Sequence, residues 1–306
     1  TISDPAAGTG GFILAAYNWF YKKVGGAINR DDLDKIRKHT YFGTELVARP
    51  RRLCLMNLYL HGIESQVRLA DSLYEPENGD RFDAVLTNPP FGTKGANQVP
   101  ERQDFTVATS NKQLNFLQHV LTILKPGGRA AVVLPDNVLF EDKAGEVFKI
   151  LTQDCNLHTI LRLPRGTFTP YSQGVKANVI FFTKGLPTEN VWIYDARTNV
   201  PGITKKDRPL SPSHFAEFEK CYGDNSDGLS RREETDSKEG RWKKFSIDQV
   251  KEKRFKFDSF KWLKDEDIED LDELPEPEEL ITDALSELKE AIDNLNKIYA
   301  ELTNGH

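Results

Sequence analysis

The chain is poor in sulfur and in histidine. Its 306 residues hold three cysteines, one methionine and six histidines. Cys54, Cys155 and Cys221 lie far apart with no Cys-x-x-Cys pair, which argues against a disulfide framework and against a zinc site. The histidines show no ligand spacing, so no metal is expected. Long apolar runs are missing as well. No stretch reaches the roughly 20 apolar residues of a membrane span, and no signal-peptide pattern is present. A reducing cytoplasm is the expected compartment. A strong charge of one sign is also missing from most of the chain. The formal net charge is −6, but residues 1–250 carry 33 Lys and Arg against 30 Asp and Glu, whereas residues 251–306 carry 8 against 17. The acidity belongs to the tail, and the remainder is too balanced for charge alone to indicate a nucleic-acid partner. The length allows one large or two ordinary domains. The chain starts at Thr1 and enters a glycine-rich loop almost at once, so it is expected to be a fragment of a longer protein.

What is present centres on Asn88-Pro89-Pro90-Phe91. Two successive prolines remove two N–H donors and fix φ near −65°, and the residue before a proline is pushed into an extended conformation. The result is a stiff ledge of carbonyl oxygens, one amide and one aromatic face. It follows Phe82–Thr87, an apolar run that reads as a buried parallel strand. Ligands bind at that end of strands in open α/β sheets. A flat heterocycle with an exocyclic amine suits such a ledge; so does a plain turn closing a βα loop. A second stretch, Asp4-Pro5-Ala6-Ala7-Gly8-Thr9-Gly10-Gly11-Phe12, opens the chain and leads into a helical pattern ending near Lys23. Glycines at a strand-to-helix turn let the backbone approach a ligand.

Between these stretches, Asp31–Lys38 reads as a polar helix and Tyr41–Thr44 as a second strand followed by Glu45. An acidic residue there matches the ribose-binding position of dinucleotide folds. The usual spacing from the glycines is about 20 residues; Gly11 to Glu45 is 34, so an insertion is implied. Pro50 opens a helix patterned by Leu53, Met56, Asn57 and Leu60, with His61 at its end and Cys54 in its core. Val67–Leu69 is a third strand, ending at Asp71 and Ser72, where the Asp reads equally as a turn residue or N-cap. Residues 92–104 form a polar loop after the ledge. Gln113–Leu124 is a helix, Arg129–Leu134 a strand, Ala144–Leu151 a helix, and His158–Leu163 and Ala177–Thr183 strands flanking a turn at Ser172–Gly174. Arg165 and Lys176 on that connection can meet DNA phosphates or simply be solvated. Val191–Tyr194 is one more strand. Asp224–Gly240 looks least ordered. Residues 241–262 mix basic and aromatic side chains, which can stack on nucleic acid or dock an extension onto the core. In the acidic tail, Ile281, Leu285, Leu288, Ile292, Leu295, Tyr299 and Leu302 recur in steps of 4 and 3, a heptad seam that needs a partner surface.

The two motifs Asp-Pro-x-x-Gly-Thr-Gly-Gly-Phe and Asn-Pro-Pro-Phe together resemble the adenine-N6 DNA methyltransferases. With the runs Gly43–Ile63 and Leu163–Phe182, the chain resembles the modification subunits of type I restriction–modification systems. The resemblance implies an α/β fold: a Rossmann-like S-adenosylmethionine-dependent methyltransferase sheet with flanking helices, plus a C-terminal extension ending in a coiled-coil helix. It divides the chain into a core at 1–186, an extension with a polar loop at 187–262, an acidic linker at 263–279 and a partner-contact helix at 280–303. S-adenosylmethionine is the implied cofactor, held by Asp4, Ala6, Gly8, Thr9, Gly10 and Gly11, by Glu45 at the ribose, and by Asp71 and Ser72 at the adenine. Asn88, Pro89, Pro90 and Phe91 are the implied catalytic residues, acting on a flipped adenine. Family members carry a further cofactor-binding segment and a helical domain before the first strand. DNA, a specificity subunit and a restriction subunit are the implied partners, and no membrane. A glutamine or RNA-base amino-methyltransferase, or a silent assembly subunit, stays open as an alternative.

Overall fold

Strands that are apolar on both faces need helices on both sides of a shared sheet, and short strands alternating with amphipathic helices supply them. The computed structural model describes residues 1–24, 27–91, 98–169, 175–197, 203–204, 209–235 and 240–263. The first part of the chain runs β1 (Ile2–Asp4), α1 (Gly11–Val24), α2 (Arg30–His39), β2 (Tyr41–Glu45), α3 (Ala48–Leu60), β3 (Gln66–Leu69) and β4 (Phe82–Thr87). It continues through α4 (Lys112–Ile123), β5 (Leu124–Pro135), α5 (Ala144–Asp154), β6 (Cys155–Arg162) and β7 (Ala177–Lys184). The last described elements are β8 (Asn190–Asp195), α6 (Ala216–Tyr222), β9 (Trp242–Ser246) and α7 (Ile247–Glu252).

These strands form one nine-stranded sheet in the order β3-β2-β1-β4-β5-β7-β6-β8-β9. From β3 to β5 every pairing is parallel. β7 runs against both of its neighbours, β5 and β6. The chain moves outward from β1 through β2 and β3, then returns to add β4 on the other side of β1. Strand order therefore reverses at β1, and the connections leaving β1 and β4 diverge across a crevice at the carboxyl ends of the strands. The implied insertion between the glycine loop and Glu45 is α2. Its N-cap Asn29 accepts from the Asp32 N–H at 2.8 Å, and its last turn carries Arg37, Lys38 and His39 where the helix dipole favours cations.

On one core cluster, α4 (Leu114, Leu117, Val120) and α5 (Val147, Phe148, Leu151) pack on β4 to β7; a second cluster joins α1 and α3 through Ile13, Tyr17, Cys54 and Leu58. The face of α3 differs from the expected one. Leu53, Met56 and Leu60 are exposed, and Cys54 and Leu58 are buried. The helix starts two residues before Pro50, at Ala48. Its run Leu53–Leu60 is apolar almost all round, so periodicity does not choose a face. Contact chooses it: a Cβ on Gly10 would lie 2.8 Å from Cys54 Sγ, so Cys54 must be the small residue under the loop.

The boundary at 186/187 does not separate two bodies. β8 pairs with β6 and β9 with β8, and residues 1–263 form one compact unit. The aromatics of 241–262 are turned inward: Trp242 is fully buried and stacks on Trp192 at 5.2 Å, while Phe245 packs on Phe260 at 4.6 Å. They are spent on docking rather than left open to bases. The described part of Asp224–Gly240 is also ordered by contacts that its polar composition hides. Arg232 lies over the rings of Tyr222 and Trp242, and Gly228 sits so close to His158 that a Cβ would come within 2.3 Å of the imidazole. The turn at 172–174, residues 92–97 of the loop after the ledge, the acidic linker from 264 onward and the heptad helix lie outside the described residues. No described helix is long and apolar enough to cross a membrane.

Replacing Trp242 with Ala empties a site at the junction of β8 and β9. The expected loss is about 3–5 kcal/mol, read in a thermal or denaturant melt as one cooperative transition at a lower midpoint. A core transition that keeps its midpoint would show that residues 187–262 melt independently.

Candidate functional site at the carboxyl edge of β1 to β4

β1 delivers Asp4 into the protein interior, where it is 3% exposed. Its Oδ1 accepts from the Ala6 N–H at 3.0 Å and so shapes its own loop. The chain then passes Gly8 at φ +54° and Gly10 at φ +85°, both left-handed, before Gly11 opens α1. Three ties hold this loop from behind. Glu45, at the end of β2, accepts from the Gly8 N–H through Oε2 at 2.9 Å and from the Val47 N–H through Oε1 at 2.8 Å. Asn57 on α3 donates to the Thr9 carbonyl at 2.9 Å. The Ala7 N–H donates to the Thr44 carbonyl at 2.9 Å. The other side of the loop is open: a Cβ on Gly11 would meet nothing within 4 Å, and one on Gly8 only the Ala6 carbonyl oxygen at that limit.

Burial pushes the Asp4 carboxyl up to about 7, with the Glu45 charge adding to the rise; the Thr87 hydroxyl and the Ala6 N–H pull the other way. Among the described residues Asp4 takes part in no ion pair. A buried anion without a cation is costly, and a bound cationic group is the partner its chemistry calls for.

At the end of β3, Asp71 uses Oδ1 to accept from the N–H groups of Leu73 at 2.9 Å and Tyr74 at 3.1 Å. That is the turn role weighed for it from sequence. Ser72 donates its hydroxyl to the Pro5 carbonyl at 2.6 Å, tying the third strand's turn to the glycine loop.

The ledge leaves β4 one strand away from that loop. Pro89 is buried and Asn88 half-buried. The Asn88 Oδ1 is buried and, among the described residues, accepts no hydrogen bond. An unsatisfied buried carbonyl costs about 1–3 kcal/mol, so a donor arriving there recovers that cost. Gln113 of α4, 3% exposed, donates Nε2 to the Pro90 carbonyl at 2.8 Å and fixes the ledge from below. Two more buried amides follow on the same helix: Asn115 donates to the Thr109 carbonyl at 2.8 Å, and Gln118 pairs with both the N–H and the carbonyl of Val107. Phe91 meets Phe168 edge to face, centroids 5.0 Å apart at 81°. Further along α4, Arg102, 8% exposed, binds Asp104 at 2.9 and 2.6 Å. Burial and the Arg102 charge push His119 down to about 3, so the imidazole is neutral and its Nδ1 can accept from Arg102 at 3.2 Å.

The residues that the resemblance implies for cofactor and catalysis thus fall at the ends of four adjacent strands: Asp4 to Gly11 on β1, Glu45 on β2, Asp71 and Ser72 on β3, Asn88 to Phe91 on β4. Sequence reading missed Asn57, Arg102, Gln113 and Phe168. The one available signal was Gln113, Asn115 and Gln118, amides at positions where an amphipathic helix should be apolar. Arg165 and Lys176 lie on the β6–β7 connection along the same edge; their carbonyls accept from the Ile203 and Asp136 N–H groups at 2.9 Å.

A model of the N-6 DNA Methylase family matches residues 1–271. The methylase subunit of the type I restriction enzyme StySJI from Salmonella typhimurium is 41% identical over 99% of this chain and 64% of its own length. The EcoKI methylase subunit of Escherichia coli is 41% identical over 98% of this chain and 64% of its own. The chain therefore spans just under two thirds of these relatives. A crystal structure of the EcoKI M protein superimposes with a TM-score of 0.77 at 38% identity, covering 99% of this chain and 68% of that one. Its sheet is that of the S-adenosylmethionine-dependent methyltransferases, and with a family model matched over most of its length, the chain belongs to the N-6 DNA Methylase family.

Proposed function

We propose that this chain carries the methyl-transfer site of a DNA adenine-N6 methyltransferase that uses S-adenosylmethionine and serves as the modification subunit of a type I restriction–modification complex. The observation that carries the reading is the buried Asn88 Oδ1, without a partner among the described residues and held on a proline-stiffened ledge one strand from an open glycine loop. The names of the relatives agree with it. DNA, a specificity subunit and a restriction subunit are the proposed partners, with the heptad segment at 280–303 as the proposed contact to specificity.

S-adenosylmethionine supplies an electrophilic methyl group on a sulfonium. The fit of its other parts rests on residues already described. The open side of Gly8 and Gly11 would admit a ligand against the backbone, Asp4 would hold the ammonium, Glu45 the ribose hydroxyls and Asp71 the adenine amine. Ser72 acts by tying Asp71's turn to the Pro5 carbonyl.

The acceptor is an aromatic amine whose lone pair is delocalised into its ring. Asn88 Oδ1 and the Pro89 carbonyl accept its two hydrogens and favour a pyramidal nitrogen whose lone pair is withdrawn from conjugation with the ring; as the N–C bond forms the sulfonium C–S bond breaks, and the surplus proton of the nitrogen passes to water. The nitrogen gains positive charge as the new bond forms, so fixed carbonyl dipoles stabilise the transition state more than the ground state. Gln113 keeps the ledge from rotating, and no strong general base is required. Phe91 stacks the base, which must leave the duplex to reach the ledge, and Phe168 buttresses Phe91.

Titration calorimetry with S-adenosylmethionine tests the first half of this reading. The 306-residue chain binds, and Gly8→Asp, whose side chain enters the open side of the loop, does not. Binding that survives in the variant would exclude the loop as the cofactor site. With a specificity subunit added, Asn88→Ala lowers transfer of labelled methyl to DNA by on the order of 10²–10³, and Asn88→Asp retains most of it. Normal methylation by the Ala variant would remove Asn88 from the chemistry. Asp4 gives a prediction of two signs. In the free chain its folded value of about 7 lies above the 3.8 of an ordinary Asp. The carboxyl's contribution is therefore fully present below about pH 4 and lost as pH rises to about 7, a change on the order of 4 kcal/mol. Asp4→Asn should raise the melting temperature at pH 8 and hardly change it at pH 4. Cofactor binding should show the opposite sign, weakening by up to tenfold per pH unit below about 7 in the parent chain, and losing that dependence in Asp4→Asn.

A further inference from the structure

A buried arginine is expensive unless every face of it is engaged, and Arg102 is engaged on four. Its Nε and Nη2 bind the two oxygens of Asp104 at 2.9 and 2.6 Å. Its Nη1 donates to the Ser72 carbonyl at 2.7 Å and to His119 Nδ1 at 3.2 Å. Its guanidinium lies over the Phe105 ring, 4.4 Å from the centroid. Both ends of this cluster continue. Ser72 passes its own hydroxyl to the Pro5 carbonyl in the glycine loop at 2.6 Å. Asp104 accepts from Thr122 of α4 at 2.6 Å, and α4 reaches the ledge through Gln113 and the Pro90 carbonyl at 2.8 Å. Tyr74 adds a parallel strut, its hydroxyl donating to the Gln98 carbonyl at 2.8 Å.

The geometry points to Arg102 as the positioning residue that couples the two halves of the site: through Ser72 it sets the turn at Asp71 and the loop at Pro5, and through Asp104 and α4 it is joined to the Asn88–Phe91 ledge. The inference rests on the functional reading above, in which the first half holds the cofactor and the second the amine. Methyl transfer needs its two partners aligned to within a fraction of an ångström. The pairing of β1 with β4 aligns the glycine loop with the ledge, but the turn at Asp71 leaves β3, which is separated from β4 by β2 and β1, so strand pairing alone does not tie that turn to the ledge. Arg102 joins the turn to α4 through Asp104 and Thr122, and α4 carries Gln113 to the ledge. The planar fork of Arg102 is what lets one side chain hold a carboxylate and a carbonyl together; a lysine ammonium can keep the carboxylate but cannot reproduce both.

The test uses Arg102→Lys, which keeps a cation for Asp104 and so preserves the fold, together with Ser72→Ala and the double variant. Two measurements are made on the 306-residue chain: amide hydrogen exchange at Leu73 and Tyr74 without ligand, and the dissociation constant for S-adenosylmethionine. The expected result is faster exchange at those two amides in Arg102→Lys, and binding weakened by about tenfold or more. Because the two residues act in one circuit, the double variant should bind no more weakly than the poorer single variant. Multiplying effects would mean independent action and overturn the inference, as would exchange and binding unchanged from the parent. Should the parent chain not bind S-adenosylmethionine, hydrogen exchange decides by itself: faster exchange in Arg102→Lys supports the coupling of the two segments, and unchanged exchange overturns it, whatever the fate of the functional reading.

Discussion

The parallel pairing of β1 with β4 is the constraint on which the site depends. Ile2 is opposite Ala84 and Ser3 opposite Val85, so the residues just beyond these strands, Asp4 with its glycine loop and Asn88 with its prolines, emerge side by side. Neither motif makes a site alone. A glycine turn without a neighbouring acceptor ledge is a generic nucleotide loop, and an X-Pro-Pro turn without the loop closes an ordinary βα connection. The reversal of strand order at β1 keeps the helices off both and leaves the crevice between them.

Around that crevice the protein tolerates polar groups in costly states. Among the described residues Asp4 is buried without a cation and Asn88 Oδ1 is buried without a donor. Both are unfavourable in the free chain. The rigid parts are correspondingly over-determined. Three buried amides on α4 fix the segment at 105–111 and the ledge, and three hydrogen bonds from behind fix the glycine loop. Fixed donors and acceptors of this kind are what an electrostatically preorganised site requires.

What could be read from the sequence and what could not divides along a physical line. Up to β8 strand and helix positions followed from periodicity, whereas α6, β9 and α7 did not, and Asp4–Gly11 and Asn88–Phe91 stood out because glycines and prolines constrain their own backbone, a property that travels with the residue. Gln113 and Phe168 did not stand out, because their roles exist only through partners far along the chain, Pro90 and Phe91, and Arg102 did not because its local pair with Asp104 looks like a surface ion pair until Ser72 and His119 close around it. The face of α3 was misjudged because its sequence is apolar on every side. The segment at 224–235 was read as loose because Arg232 and Gly228 carry no apolar signal, although one stacks on two aromatic rings and the other fits against His158. Residues 190–195 and 242–246 looked like an appendix since sheet membership is decided by edge pairing with β6, which is a long-range event.

The antiparallel β7 has a further consequence. Because it runs against β5 and β6, its start, not its end, lies on the working edge: Ala177 is opposite Pro135, and β6 ends on the same side at Arg162. Because β6 and β7 are antiparallel neighbours, the chain passing from Arg162 to Ala177 turns back at this edge and need not cross the sheet. Its described flank is thereby free to serve the edge itself: Phe168 reaches Phe91 of the ledge, and Arg165 takes the Ile203 N–H on its carbonyl.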